Sequence, residues 1–153
     1  MAWRLEEFKE KHWLRGPKDF WDVLFEIKEY LENDRELKEE GFEGDFIPDL
    51  WSYFHAGGWK TGVWVNGRKV LVELPRRKGD PCKIKVLNVS SREELDILSE
   101  QTELLFLPTE YDEHRYREDK PFDAEVELPC APDMLKEAAI KTKKVLEKFP
   151  PLP

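Results

Sequence analysis

Apolar residues recur at helical spacing near the two ends of the chain. Residues 17–39 predict an amphipathic helix, and residues 2–14 predict a shorter one. The apolar stripe of the longer helix contains Phe20, Leu24, Ile27 and Leu31. Gly16 breaks the pattern between the two helices, so residues 1–40 are expected to form a helical pair.

In the middle of the chain, residues 48–128, apolar positions alternate with polar ones and predict a mainly antiparallel sheet. Apolar and β-branched residues flank Asn66-Gly67, which is the strongest short-range hairpin signal because both residues accept the positive φ angles of a type I′ turn. Strands are predicted over residues 60–65, 68–74, 83–89, 104–107 and 124–128, the last at an edge of the sheet.

Helical patterns return after the third strand. Ser91 and Glu94 form a capping box that begins one helix, and residues 132–149 predict a C-terminal helix. Residues 108–123 are acidic and aperiodic, which predicts a long exposed loop. The predicted fold is therefore a single α+β domain over residues 1–153, in the order α-α-β-β-β-α-β-β-α, with helices on one face of the sheet.

The chain is highly charged, with 38% Asp, Glu, Lys and Arg and a net charge of −8. Side-chain amides are scarce, since Asn and Gln together occur only at Asn33, Asn66, Asn88 and Gln101. This composition favours a thermophile protein over an ordinary charged mesophile domain. The net negative charge argues against non-specific nucleic-acid binding by the whole surface.

Positive charge is concentrated in residues 68–85, which contain seven basic and two acidic residues. As a binding surface for nucleic acid, this region offers Arg68, Lys69, Arg76, Arg77 and Lys78, with Trp59 and Trp64 as stacking faces. The alternative is that the cations protect a sheet edge against aggregation and that Trp64 belongs to the core.

A short helix is also predicted over residues 48–55, so residues 48–107 follow the order α-β-β-β-α-β, which resembles the core of the PD-(D/E)xK nucleases. The resemblance implies a divalent metal held by Asp49, Glu73 and Asp80, with Lys85 as the lysine of the motif. The motif is incomplete, because Lys83 stands where the family has an acid two residues before its lysine. We therefore expect no bound metal or cofactor.

Two cysteines, Cys82 and Cys130, lack the CxxC spacing and are predicted to be free thiols in a reducing cytoplasm, with a disulfide as the alternative. No apolar run approaches the roughly 18 residues that span a bilayer. The first residues carry acids where a secretion signal has its apolar core, which favours a cytoplasmic protein.

The chain contains six tryptophans, and Trp3, Trp13 and Trp21 are concentrated near its start. We predict that these three bind a partner protein or a second copy, with a shared aromatic core as the alternative. Because no complete catalytic set is present, the first hypothesis is a non-enzymatic, cytoplasmic protein-interaction or self-assembling domain. The alternative is a nucleic-acid-binding protein or metal-dependent nuclease.

Overall fold

A computed structural model describes residues 20–44 and 58–153 of the chain. Two predicted helices, over residues 2–14 and 48–55, lie outside the described residues, and so do Trp3, Trp13 and Asp49. Within them the fold is α+β, with five helices and a six-stranded antiparallel sheet, as the sequence predicts. No helix of the described residues is long and apolar enough to cross a membrane.

Helices lie at both ends of the described chain and between its strands. They are α1 (Phe20–Asn33), α2 (Arg35–Glu39), α3 (Arg92–Thr102), α4 (Glu113–Arg117) and α5 (Pro132–Leu146), and a 3-10 turn covers Glu110–Asp112. The strands are β1 (Glu43–Gly44), β2 (Lys60–Val65), β3 (Arg68–Glu73), β4 (Cys82–Val89), β5 (Leu107–Pro108) and β6 (Phe122–Leu128). They are arranged β1-β2-β3-β4-β6-β5.

The core lies between the helices and one face of the sheet. We call this face of the sheet the inner face. Alternate residues of the three central strands are fully buried there: Val70, Val72, Ile84, Val86 and Ala124. Helix α5 packs against β3 and β4, and α3 packs against α5. From α1, Leu24, Ile27 and Leu31 join this core, as the helical spacing predicts.

The predicted helix over residues 17–39 is divided in two at Asp34. Asp34 has an extended conformation, with φ −67° and ψ 122°, and its carboxylate accepts a hydrogen bond from the backbone N–H of Leu37. This is N-cap geometry, so a new helix, α2, begins at the next residue.

The hairpin turn is confirmed and has a second role. Asn66 and Gly67 have φ angles of 51° and 86°, as a type I′ turn requires. The Asn66 side-chain amide donates to the carbonyls of Leu146, Glu147 and Phe149, at 3.1, 3.2 and 3.1 Å. We call this arrangement the Asn66 cap, because it supplies donors to carbonyls at and just beyond the end of α5.

Two predictions for residues 104–128 are wrong. The predicted long loop contains the 3-10 turn and α4, anchored by the ring of Tyr116 packing edge-on against Phe122 at 5.3 Å. Strand β6 lies inside the sheet, between β4 and β5, and not at an edge. The two-residue strand β5, which starts at Leu107, pairs with part of the edge of β6 that does not face β4.

The prediction of free thiols is also wrong, because Cys82 and Cys130 form a disulfide with Cα atoms 5.1 Å apart. The bond joins the first residue of β4 to the segment just before α5. It closes a separation of 48 residues, for which loop-closure entropy gives a stabilisation of about 4 kcal/mol.

Candidate interaction face on the open side of the sheet

Strand register places three rows of side chains on the face of the sheet opposite the inner face. The first row contains Trp64, Lys69 and Leu87; the second contains Glu43, Gly62, Leu71, Lys85, Glu125 and Leu107; the third contains Lys60, Glu73, Lys83 and Glu127. We call these thirteen residues the outer face. They alternate along each strand with the buried residues of the inner face.

Trp64 is the most prominent apolar side chain of the outer face. It is 61% exposed, whereas Trp59, five residues earlier, is fully buried. The interpretation of Trp64 as a core residue is therefore wrong, and Trp59 is not available as a stacking face. The Nζ of Lys69 lies 5.4 Å from the centroid of the Trp64 ring, a cation–π contact that helps to hold the ring in place.

Further exposed apolar side chains lie at the opposite edge of the sheet. Leu107 in the second row is 56% exposed, and Leu105, two residues before it, is 71% exposed. Between the two edges, the half-buried side chain of Leu71 lies over Gly62, where an added Cβ would be 2.5 Å from Leu71 Cδ2. Gly62 therefore lets Leu71 lie flat across the outer face.

The charged residues of the outer face form ion pairs with one another. Glu73 lies 3.6 Å from Lys60 and 3.3 Å from Lys85, and Lys83 lies 3.3 Å from Glu125. With four lysines and four glutamates, this face has no net charge although the chain carries a net charge of −8.

The structure brings together two of the residues implied by the nuclease resemblance. Glu73 and Lys85 meet on the outer face, but the Glu73 carboxylate lies between two lysines. Asp80 lies on the exposed turn between β3 and β4 and lines the same cleft as Glu73. Across residues 20–44 and 58–153, no group of three or more His, Cys, Asp or Glu residues is arranged to hold a metal ion.

A cleft of about 540 Å³ opens where the third row meets the β3–β4 turn. Its walls include Arg76, Arg77 and Asp80 of the turn, and Tyr111 closes one side. Both signs of charge line it, so it has no strong preference for anions or cations.

The basic stretch predicted from residues 68–85 is neutralised in part, because Arg68, Lys83 and Lys85 pair with carboxylates. Arg68 is only 1% exposed and forms a buried ion pair with Glu94 of α3. Its Nη1 also donates to the carbonyls of Asn66 and Pro150, each at 3.0 Å. Arg68 therefore does not belong to a nucleic-acid surface, which leaves the half-buried Lys69 and a group of exposed cations on the β3–β4 turn: Arg76, Arg77 and Lys78.

Of the three tryptophans predicted to bind a partner, only Trp21 is described. It is half-buried on α1, with its ring edge-on to Phe20 at 5.0 Å, and it packs against the core. Sequence reasoning missed Trp64 as an exposed residue. The available signal was its alternation with Val63 and Val65, which places it on the other side of β2.

Comparison of the chain with protein-family models, with curated proteins and with solved structures finds no match.

Proposed function

We propose that this chain is a non-enzymatic protein-interaction domain of the cytoplasm, and that its outer face binds the partner. The observation that carries the proposal is the exposed Trp64, held by Lys69 on the outer face. Tryptophan is enriched at the centres of interfaces, where a rigid ring buries a large area at a small entropic cost.

The surroundings of Trp64 support the same proposal. Half-buried Leu71 and exposed Leu107 extend the apolar surface across the sheet. The ion pairs of Glu73 with Lys60 and Lys85 surround it with charges that are already compensated. An apolar centre bordered by polar groups is the usual anatomy of a protein interface.

Nucleic-acid binding is the second candidate function, favoured by the exposed cations Arg76, Arg77 and Lys78 beside the ring of Tyr111. It has less support, because Arg68, Lys83 and Lys85 are engaged by carboxylates. Binding through phosphate contacts also falls steeply with added salt, which provides a way to distinguish the two candidates.

Site-specific photo-crosslinking in the cells of origin tests the proposal. A photo-reactive amino acid at Leu107 reports on the outer face, and one at Glu93, exposed on α3, is the matched control. We expect protein adducts from position 107 that are absent from position 93 and are lost on Trp64→Ala. Adducts that persist at equal yield in Trp64→Ala, or no adducts at all, would contradict the proposal.

The alternative is tested by mixing the purified chain with labelled DNA and RNA at low and moderate salt. A salt-sensitive complex that is lost when Arg76 and Arg77 are both replaced by Glu would support nucleic-acid binding. The control is Trp64→Ala, which keeps the cations of the β3–β4 turn and should leave a nucleic-acid complex unchanged.

A further inference from the structure

We propose that the cleft between the β3–β4 turn and Tyr111 binds a short zwitterionic peptide of about three residues. The terminal carboxylate of this peptide contacts Arg76 and Arg77, and its terminal ammonium contacts Glu127 and Tyr111. The site goes beyond the outer-face proposal and does not depend on it, because Trp64 does not line the cleft.

The charged groups of the cleft that are available to a ligand lie on two different walls. Arg76 and Arg77 are exposed on the turn, and neither forms an ion pair within the described chain. Glu127 is exposed on β6, and it too has no ion pair there. Glu73 and Lys83 also line the cleft, but they already pair with residues outside it. A ligand therefore meets two free cations on one wall and a free carboxylate on the other.

The two walls differ in the sign of their charge. Residues 76–80 contain three basic residues and one acidic residue, Asp80, so the wall that they form is positive. The opposite wall offers the carboxylate of Glu127 and the ring of Tyr111, whose face attracts an ammonium group. Tyr111 stands on this side because it follows β5, which pairs with β6. A ligand with one charge of each sign is thus attracted at both ends, whereas a simple anion or cation is repelled by one wall.

Strand register sets the distance between the two walls. Glu127 lies opposite Lys83, and Lys83 lies opposite Glu73, where β3 ends. Two strand spacings, roughly 10 Å, therefore separate Glu127 from the strand end that leads into the turn. An extended chain of about three residues spans the same length, and this match sets the size of the ligand.

The turn wall is held in place before a ligand arrives. Pro75 and Pro81 stand at its two ends, and a proline ring fixes the backbone φ angle. Cys82, the next residue, is joined to Cys130 by the disulfide. Buried Leu74 adds an apolar patch to the lining. Binding therefore orders little of the backbone, and the volume of about 540 Å³ lies in the usual range for small-ligand pockets.

An NMR titration of the isotope-labelled, disulfide-bonded full chain with trialanine tests the proposal. Trialanine has about sixteen non-hydrogen atoms, for which the ligand efficiency of drug-sized molecules gives a dissociation constant of about 0.3 mM. We expect saturable shifts of the backbone signals of residues 76–81 and of Glu127. N-acetyl-trialanine and trialanine amide each lack one terminal charge, so each should bind roughly tenfold more weakly.

Two variants are matched to the two modified peptides. Glu127→Gln should weaken trialanine binding roughly tenfold but leave N-acetyl-trialanine unaffected, because that peptide has no ammonium group to lose. Replacing both Arg76 and Arg77 with Gln should weaken trialanine binding but leave trialanine amide unaffected. The control is Lys78→Gln, which removes a cation of the same turn that does not line the cleft and should change each affinity by less than about twofold.

The spectrum of each variant without peptide verifies that it is folded before its affinity is interpreted. Trialanine that causes no saturable shifts up to about 10 mM would overturn the proposal, and so would equal affinities for the three peptides. Adenosine monophosphate is the competing probe. Tighter binding of this nucleotide than of trialanine, lost when both Arg76 and Arg77 are replaced, would reject the peptide and assign the cleft to the nucleic-acid candidate.

Discussion

Replacing Asn66 with Asp is the sharpest test of how the hairpin is joined to the helical layer. Asp-Gly forms a type I′ turn as Asn-Gly does, so the substitution keeps the backbone and the side-chain shape. It converts the amide nitrogen that faces three carbonyl oxygens, at 3.1 to 3.2 Å, into a carboxylate oxygen.

The size of the effect follows from the donors that are lost. The amide of Asn66 has two protons, so it forms two full hydrogen bonds at a time, each contributing about 1 kcal/mol. The new carboxylate also faces the C-terminal end of α5, where the helix dipole is negative, at a further cost of up to about 1 kcal/mol. We therefore expect a loss of about 3 kcal/mol in the free energy of unfolding.

Urea unfolding followed by circular dichroism measures this loss. With a denaturant dependence of about 2 kcal/mol per molar, the midpoint should fall by roughly 1.5 M. The control is Asn66→Gly, which keeps a turn-competent dipeptide and introduces no charge, so it should lose about 2 kcal/mol. The difference between the two variants should shrink in acid, where the carboxyl is protonated and donates.

Two outcomes would refute this reasoning. Asn66→Asp within about 0.5 kcal/mol of the native chain would show that the Asn66 cap contributes little, since typical surface changes are that small. Equal losses for Asn66→Asp and Asn66→Gly at neutral pH would show that the carbonyls of α5 do not repel the new charge.

Two further predictions concern buried polar groups. Arg68→Met should cost about 3–5 kcal/mol by leaving Glu94 buried without its partner, and adding Glu94→Gln should recover at least half of that loss in the same urea assay. Burial, together with the hydrogen bond that the Tyr30 hydroxyl donates to Asp133 at 2.7 Å, raises the pKa of Tyr30 to about 12. The contribution of Tyr30 to the free energy of unfolding is therefore fully present below its ordinary pKa of 10.0. This contribution is lost as pH rises through about 12. Tyr30→Phe should reduce the fall in stability over this window, and identical pH profiles for both chains would contradict the assignment.

Local patterns predicted the fold well because the hairpin and the helices are specified by neighbouring residues. The φ angles of Asn66 and Gly67 are requirements of the turn itself, and the α1 stripe is a property of one helix. The second role of Asn66, capping a helix 80 residues later, depends on tertiary packing that no local window contains. For the same reason the disulfide between Cys82 and Cys130 was only the alternative to free thiols.

The candidate site was harder to predict, because alternation shows which residues share a face but not which face is buried. Arg68 shares the inner face with Val70 and Val72, where Glu94 of α3 neutralises it. From the sequence alone it counts as one more surface cation. The reverse holds for Trp64. A large apolar residue is expected in the core, but the strand register places Trp64 on the outer face.

The position of Trp64 requires an explanation that folding does not provide. Helix α5 is fixed to the sheet by the Cys82–Cys130 disulfide before its first turn and by Asn66 at its end. The inner face therefore already contains the groups that hold the described fold together. An exposed Trp on the outer face adds nothing to that core and increases the risk of aggregation. Because the sheet behind it is held rigidly, a partner would meet a preformed surface and binding would require little ordering of the chain, which is the physical argument for assigning Trp64 to recognition.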